Sequence, residues 1–251
     1  REKLINFNRE DFPPNDYTEY KEGIYNRLSW EYRHKDSTLI PSKLSVSDVK
    51  KMTIKEMDSI IYQIPTLAKV PKFMEGKKIF TAAERGTIMH FVLQHLNLEK
   101  VHSKEQIGEQ IDFMVASELI TKEESKTVNI EKISSYFESG IGKRMLMSEK
   151  IYRESPFVIE KPASDIIKGL PESSEEKLLI QGIIDCYFEE EDGLVLVDYK
   201  TDVVFNGDVS SIKARYKVQL HLYREALEKI TAKKVKETYL YLFDINQGVR
   251  M

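Results

Sequence analysis

From Thr81 onward the chain changes period once. Ile88, Met89, Val92, Leu93 and Leu96 recur at helical spacing. Thr81 with Glu84 has the capping-box spacing that opens a helix there, and Ser103 with Gln106 and Thr121 with Glu124 repeat the cap signature. Residues 81–147 therefore read as several consecutive helices, the last broken at Gly140 and Gly142. Beyond them the period shortens to two. Tyr152 to Ile159 is a strand candidate, followed by a loop with Pro162, Gly169 and Pro171 and acidic residues at 172, 175 and 176. Leu178 to Phe188 and Leu194 to Thr201 are two more strands, joined at Asp192-Gly193, a strong hairpin signal. Ile212, Tyr216, Leu220, Tyr223, Leu227 and Ile230 follow at spacings of three and four and predict one amphipathic helix over 211–231. Val235 to Ile245 closes as a strand. Helices followed by β-β-β-α-β predict an α/β domain.

Upstream the pattern is weak. Residues 1–45, with Pro13-Pro14, Pro41 and scattered Tyr17, Tyr20, Tyr25, Trp30 and Tyr32, read as a lead-in that drapes over something else, with a few turns. From Ser47 helix returns in short pieces interrupted by Pro65 and Pro71. The expected division is thus a lead-in over 1–45 and one domain over 46–251. That domain has a helical part at 46–150 and an α/β core at 151–251 joined by helix 81–97.

Composition narrows the classes. With 251 residues, 41% apolar and 31% charged, the chain is long enough for a sizeable core. No apolar run approaches the length of a membrane span. Arg1 stands first, with no initiator methionine or signal-peptide pattern, so a piece of something longer is expected. The single Cys186 excludes an internal disulfide, a cysteine zinc site or an iron–sulfur cluster held within the chain, and suits a reducing cytosol. A net charge of −3 leaves no global footprint of nucleic-acid binding, so any such evidence must be local.

The hairpin supplies local evidence. A two-residue turn at Asp192-Gly193 sets Asp185 opposite Lys200 and Asp198 opposite Tyr187; a four-residue turn pairs Asp185 with Asp198. Either way Asp185, Asp198 and Lys200 share one face, because side chains alternate along a strand; an odd-length turn without a bulge splits them. Two carboxylates on one face raise each other's pKa unless a cation lies between them, and one lysine offsets only one charge. The remaining negative potential suits a hard divalent ion, Mg²⁺ or Mn²⁺. A surface salt bridge between Asp185 and Lys200 is the plain alternative. Against it, Ile183, Leu194 and Leu196 share the charged face, which is therefore a core face turning polar at one end.

His90 stands off the apolar stripe of its helix, one turn after Gly86, and leans over that bare spot. Gln219 and Tyr223 stand i, i+4 on the long helix, so their tips can meet one target. Tyr223 belongs to the packing stripe, whereas Gln219 borders it. Lys213, Arg215, Lys217 and Arg224 make the same helix locally basic, either a solvated face or one that contacts phosphates.

Taken together, His90, Gly182-Ile183-Ile184-Asp185, Asp198-Tyr199-Lys200-Thr201 and Gln219 with Tyr223 resemble the RecB-type branch of the PD-(D/E)xK nuclease superfamily. Within it the wording is similar to the nuclease domains of the AddA subfamily of bacterial helicase–nucleases. Pro41-Ser42-Lys43-Leu44-Ser45-Val46-Ser47, Glu84-Arg85-Gly86-Thr87 and Arg153-Glu154-Ser155-Pro156-Phe157 add to that likeness, which runs from about residue 27 to the end. The resemblance implies a restriction-endonuclease-like core, a mixed central sheet flanked by helices and preceded by a helical segment. It implies a deoxyribonuclease that cuts single-stranded DNA within a cytoplasmic helicase–nuclease processing double-strand breaks for recombination. Its partners would be the helicase domains of a longer chain together with an AddB-like sister protein, with no membrane. It also implies that His90, Asp185, Asp198 and the Tyr199 carbonyl hold Mg²⁺ or Mn²⁺, the imidazole favouring Mn²⁺. Lys200 would orient the attacking water and stabilise phosphate charge, and Gln219 and Tyr223 would position Lys200 or the strand. No Gly-x-x-x-x-Gly-Lys-Ser/Thr loop is present, so the chain has no ATP site of that kind. The runner-up reading is a catalytically silent nuclease fold that guides DNA or docks a partner; a phosphatase of small substrates is a further rival.

Overall fold

A computed structural model describes residues 18–32, 36–55, 80–168, 170 and 175–251. Pro13-Pro14, Tyr17, Pro65, Pro71, Gly169 and Pro171 lie outside them. The chain divides into two units, residues 1–41 and 42–251, each described by itself. In the first, the expected turns are instead a helix, α1 (Thr18–Leu28), and a short 3₁₀ turn at Asp36–Leu39. On α1, Ile24, Tyr25 and Leu28 are exposed.

The second unit is built on a six-stranded mixed sheet. Its strands are β1 (Lys43–Ser45), β2 (Ile151–Pro162), β3 (Lys177–Glu190), β4 (Gly193–Lys200), β5 (Val235–Leu242) and β6 (Gln247–Arg250). β3 is the hub. β2 pairs antiparallel along one edge from Pro162↔Lys177 to Ile151↔Phe188. The opposite edge is shared: β1 pairs parallel with Leu179–Gln181, and β4 pairs antiparallel from Cys186 onward. Gly182 to Asp185 therefore lies in the gap between β1 and β4. β5 adds parallel to β4, and β6 antiparallel to β5. The pattern places β1 in the lead-in and ends its last strand at Ile245, so β6 is not expected from it; at three and four residues, neither strand shows a readable alternation.

Helices cover both faces. On one, α3 (Ala82–His95), α4 (Lys104–Ala116), α6 (Ile130–Glu138) and α7 (Gly140–Met147) close a core with Cys186, Phe188, Val195, Val197 and Tyr199, and the single turn α5 (Lys122–Ser125) links α4 to α6. The expected caps form: Thr81–Glu84 and Thr121–Glu124 are full capping boxes, and Ser103 Oγ accepts from the Gln106 amide. Gly140 and Gly142 end no helix but open α7, capped by Ser139. On the other face lie α2 (Val46–Lys55) and the long α8 (Val209–Thr231), which buries Ile212, Tyr216, Leu220, Tyr223 and Leu227. The result is the α/β domain that the pattern predicts, with the mixed sheet flanked by helices that the resemblance implies.

At the far end of the hairpin, Arg144 grips Glu190 through Nε and Nη2, both at 2.9 Å, and reaches Glu237 at 2.6 Å. The fork ties α7 to β3 and β5. Hydrogen bonding to Arg144 lowers the Glu190 pKa from 4.5 to about 2. A depressed carboxylate stabilises the fold above its unfolded pKa, and that contribution is lost as pH falls through the folded value. Melting temperatures measured from pH 5 to pH 2 should therefore drop in the wild type, and part of that drop should vanish in Arg144→Ala.

Candidate active site

α3 carries His90 to the sheet. Ile88, Met89, Val92 and Leu93 seat the helix in the core, and Gly86 lets it approach β4 closely: a Cβ there would lie 3.0 Å from Thr201 Oγ1. His90 Nε2 then donates to the Tyr199 carbonyl at 3.2 Å. That bond fixes the ring and aims Nδ1 at Asp185 Oδ1, 3.4 Å away, and Glu154 Oε1, 3.5 Å away. His90, Glu154 and Asp185 offer ligand atoms all within 4.8 Å of one another.

Tyr199 is the hinge of this arrangement. Its hydroxyl donates to Tyr136 at 2.9 Å inside the core, which anchors the residue from behind. Its amide donates to Asp185 Oδ2 at 2.7 Å, and its carbonyl accepts from Lys200 Nζ at 3.0 Å as well as from His90. The carbonyl expected as a metal ligand thus holds side chains in place here.

Asp198 faces α8. Gln219 Nε2 donates to Oδ1 at 2.9 Å and to the Tyr223 hydroxyl at 3.3 Å. Gln219 therefore positions Asp198, where the expectation had it positioning Lys200 or DNA, and Tyr223 steadies Gln219. Lys200 Nζ lies 2.6 Å from Oδ2, yet that fully buried oxygen accepts no well-aligned hydrogen bond. Asp185, Asp198 and Lys200 converge as the shared-face argument requires. The turn, however, is Glu191-Asp192, with Glu190 opposite Gly193. Continued past Cys186↔Val197, this register sets Asp185 opposite Asp198. Leu194 and Leu196 are buried as expected, but Ile183 is half exposed because it lies beyond the reach of β4.

The electrostatics follow from burial and crowding. Burial alone disfavours a charged His90, but the Asp185 and Glu154 carboxylates outweigh it and raise its pKa to about 10. Burial pushes Asp198 up to about 7 against the pull of Lys200, with Asp185 adding to the rise. Asp185 stays low despite its burial, through His90 and Lys200. Charge repulsion between the aspartates, the cause expected from sequence, is thus secondary to desolvation at Asp198.

Two features escaped the sequence reading. Glu154, read only as part of a resemblance, reaches the site because its backbone takes φ 47, a left-handed conformation in the middle of β2. The basic helix splits. Arg215 bonds Asp202 at 3.3 Å in a cleft of about 830 Å³ shared with Gly86, His90, Glu154 and Phe205. Lys213, Lys217 and Arg224 line a different hollow beside Thr238.

The donor set fits a divalent cation. An imidazole with its Nε2 proton engaged and an Nδ1 that releases its proton when a cation binds, two ionisable carboxylates beside that nitrogen, and an underbonded aspartate oxygen are what a hard or borderline ion binds.

A family model described as the PD-(D/E)XK nuclease superfamily matches residues 61–249. The chain is 68% identical over 250 residues to an ATP-dependent helicase/nuclease subunit from Alkaliphilus metalliredigens, covering 100% of this chain and 21% of that protein. The proteins of the same name from Alkaliphilus oremlandii and Clostridium botulinum (strain 657) are 65% and 50% identical over 251 and 237 residues. Those matches take in 100% and 92% of this chain but only 21% and 18% of the relatives. The chain thus spans about a fifth of the length of the curated relatives it matches. Among the described residues, no helix is long and apolar enough to cross a membrane.

Proposed function

Because the chain belongs to the PD-(D/E)XK nuclease superfamily, we propose that it hydrolyses phosphodiester bonds of single-stranded DNA, as the nuclease domain of a helicase–nuclease. Residues 42–251, which include β1, form that domain, in place of the expected 46–251, and 1–41 lead in from a helicase region. The observation that carries the reading is the convergence of His90, Glu154, Asp185, Asp198 and Lys200 at one end of the sheet. The silent-module rival predicts a damaged constellation, and each expected position is filled. The relatives named as helicase/nuclease subunits support the larger setting, in which the helicase domains and an AddB-like sister protein deliver the strand.

His90 Nδ1, Asp185 and Asp198 would hold the metal, Mg²⁺ or Mn²⁺, and Glu154 would join them. When bound, such an ion polarises a non-bridging oxygen and lowers the pKa of a water. The protein's own groups do the rest. Lys200, held by Asp198 and the Tyr199 carbonyl, aims its ammonium where charge develops on the phosphate. Gln219, braced by Tyr223, fixes the Asp198 carboxylate so that one oxygen stays available. His90 Nε2 keeps its proton on the Tyr199 carbonyl and leaves Nδ1 as the ligand nitrogen.

The test is incubation of the chain with end-labelled single-stranded DNA and Mg²⁺ or Mn²⁺, with chelator as control and nitrophenyl phosphate as the competing substrate class. Metal-dependent cutting of the strand and no turnover of the small ester is expected. Ester hydrolysis without strand cleavage would turn the reading into a phosphatase.

A further inference from the structure

Lys50 lies on α2, outside every motif considered above. Its helix packs Val46 and Val49 inward, and Lys50 Nζ sits 4.3 Å above the centroid of the Tyr216 ring on α8. Lys200 Nζ lies 4.8 Å from the same centroid. Two ammonium groups thus share one aromatic platform. Tyr216 is buried, and its hydroxyl donates to Asp202 Oδ2 at 2.9 Å, so the platform is fixed.

Among the described residues Lys50 enters no ion pair. The nearby acids are engaged elsewhere: Asp198 by Lys200 and Gln219, and Asp202 by Arg215 and Tyr216. Burial and the neighbouring charge of Lys200 work against the Lys50 ammonium, and the pull of Asp198 and Asp202 offsets only part of that, so its pKa is lowered. A half-buried cation next to a second cation is an unfavourable arrangement unless an anion completes it. The ring face offsets part of that cost, since cations are attracted to aromatic faces. What remains beside Lys200 is a second ammonium with no ion-pair partner among the described residues.

We infer that Lys50 is a phosphate-binding residue that grips the backbone of the single strand beside the phosphate being cut, with Tyr216 as its positioning residue. The inference rests on the nuclease reading, which brings a phosphodiester to Lys200 and a chain of further phosphates with it. A strand whose reacting phosphate meets Lys200 carries the neighbouring one past the Tyr216 ring. Backbone contacts of this kind fix register and carry no sequence preference.

The experiment uses the 251-residue chain in chelator, so that the strand is bound and not cut. Affinity for a fluorescein-labelled oligothymidylate is measured across a salt series for wild type, Lys50→Met, Lys50→Gln and Lys50→Arg. Each phosphate neutralised on a single strand adds about 0.7 to the slope of log affinity against log salt. Lys50→Met and Lys50→Gln should each lower that slope by about 0.7 and weaken binding equally for a mixed-sequence strand, while Lys50→Arg keeps the slope. In cleavage assays with Mn²⁺, Lys50→Met should raise KM and leave kcat within about twofold, as expected when ground-state and transition-state binding are lost together. A merely structural lysine would alter the melting temperature and leave the slope alone. A wild type that binds and cuts the strand, with a slope that neither Lys50→Met nor Lys50→Gln changes, overturns the Lys50 assignment and spares the nuclease reading. A wild type that neither binds nor cuts it overturns both.

Discussion

Asp198→Asn is expected to abolish strand cleavage, by about 10³-fold or more, while the protein melts at or above the wild-type temperature at neutral pH. The two halves have one cause. Asp198 is fully buried, and its pKa is raised from 3.8 to about 7. A carboxyl whose folded pKa lies above its unfolded value costs the native state stability as pH climbs between the two, here from about 4 to about 7. Asparagine has the same shape, still accepts from Gln219, and carries no charge to desolvate. Its advantage over aspartate should grow through that pH window and level off above it. Alanine is the poorer probe. It would leave the Gln219 amide facing a gap, and a buried donor that loses its acceptor is costly. Melts at pH 4 and pH 8, beside single-strand cleavage in Mn²⁺, check both halves. Wild-type cutting by the asparagine variant would remove Asp198 from the site.

The legible parts of this fold are those where one physical rule acts alone. Capping boxes at Thr81 and Thr121 and the apolar stripe of α8 depend on local geometry, and the structure repeats them nearly residue for residue. The hairpin was legible in face but not in register. Asp192-Gly193 resembles a two-residue turn, yet Gly193 is needed for another reason. It takes φ 145, and a Cβ there would lie 2.6 Å from the Lys234 carbonyl oxygen, which accepts from Leu194 across the sheet. The glycine serves the contact between β4 and the entry to β5, so the turn moves back by one residue. That demand comes from a segment some forty residues later, where no local pattern records it.

The site divides in the same way. His90, Asp185, Asp198 and Lys200 are legible because their residue types and parity already limit the chemistry. Glu154 and Lys50 are not. In sequence, Glu154 is an acidic residue in a strand, and only its departure from extended backbone turns it toward His90. Lys50 is one of several lysines on an ordinary amphipathic helix, and only the packing of α2 against α8 sets it over Tyr216. Both are tertiary facts.

Glu154 also provides a test that separates binding from folding. A non-glycine residue in the left-handed region costs about 1–2 kcal/mol, and such strain persists where surrounding structure holds it for function. Glu154→Gly relieves that strain and gives back about 0.5–1 kcal/mol in the entropy of the unfolded chain. The two effects nearly cancel, so Glu154→Gly should melt within a few degrees of wild type. Its metal affinity should nonetheless fall, by at least the 10–100-fold typical of losing a group that supports a metal site. Glu154→Gln keeps the strain and removes only the charge, so it should lose comparable affinity without any relief. Calorimetric titration of Mn²⁺ into the wild type and both variants, paired with thermal melts, measures each quantity directly. Unchanged Mn²⁺ affinity in both variants would leave His90, Asp185 and Asp198 as the metal-binding side chains, and would make the φ 47 backbone of Glu154 a local feature of β2 without a part in metal binding.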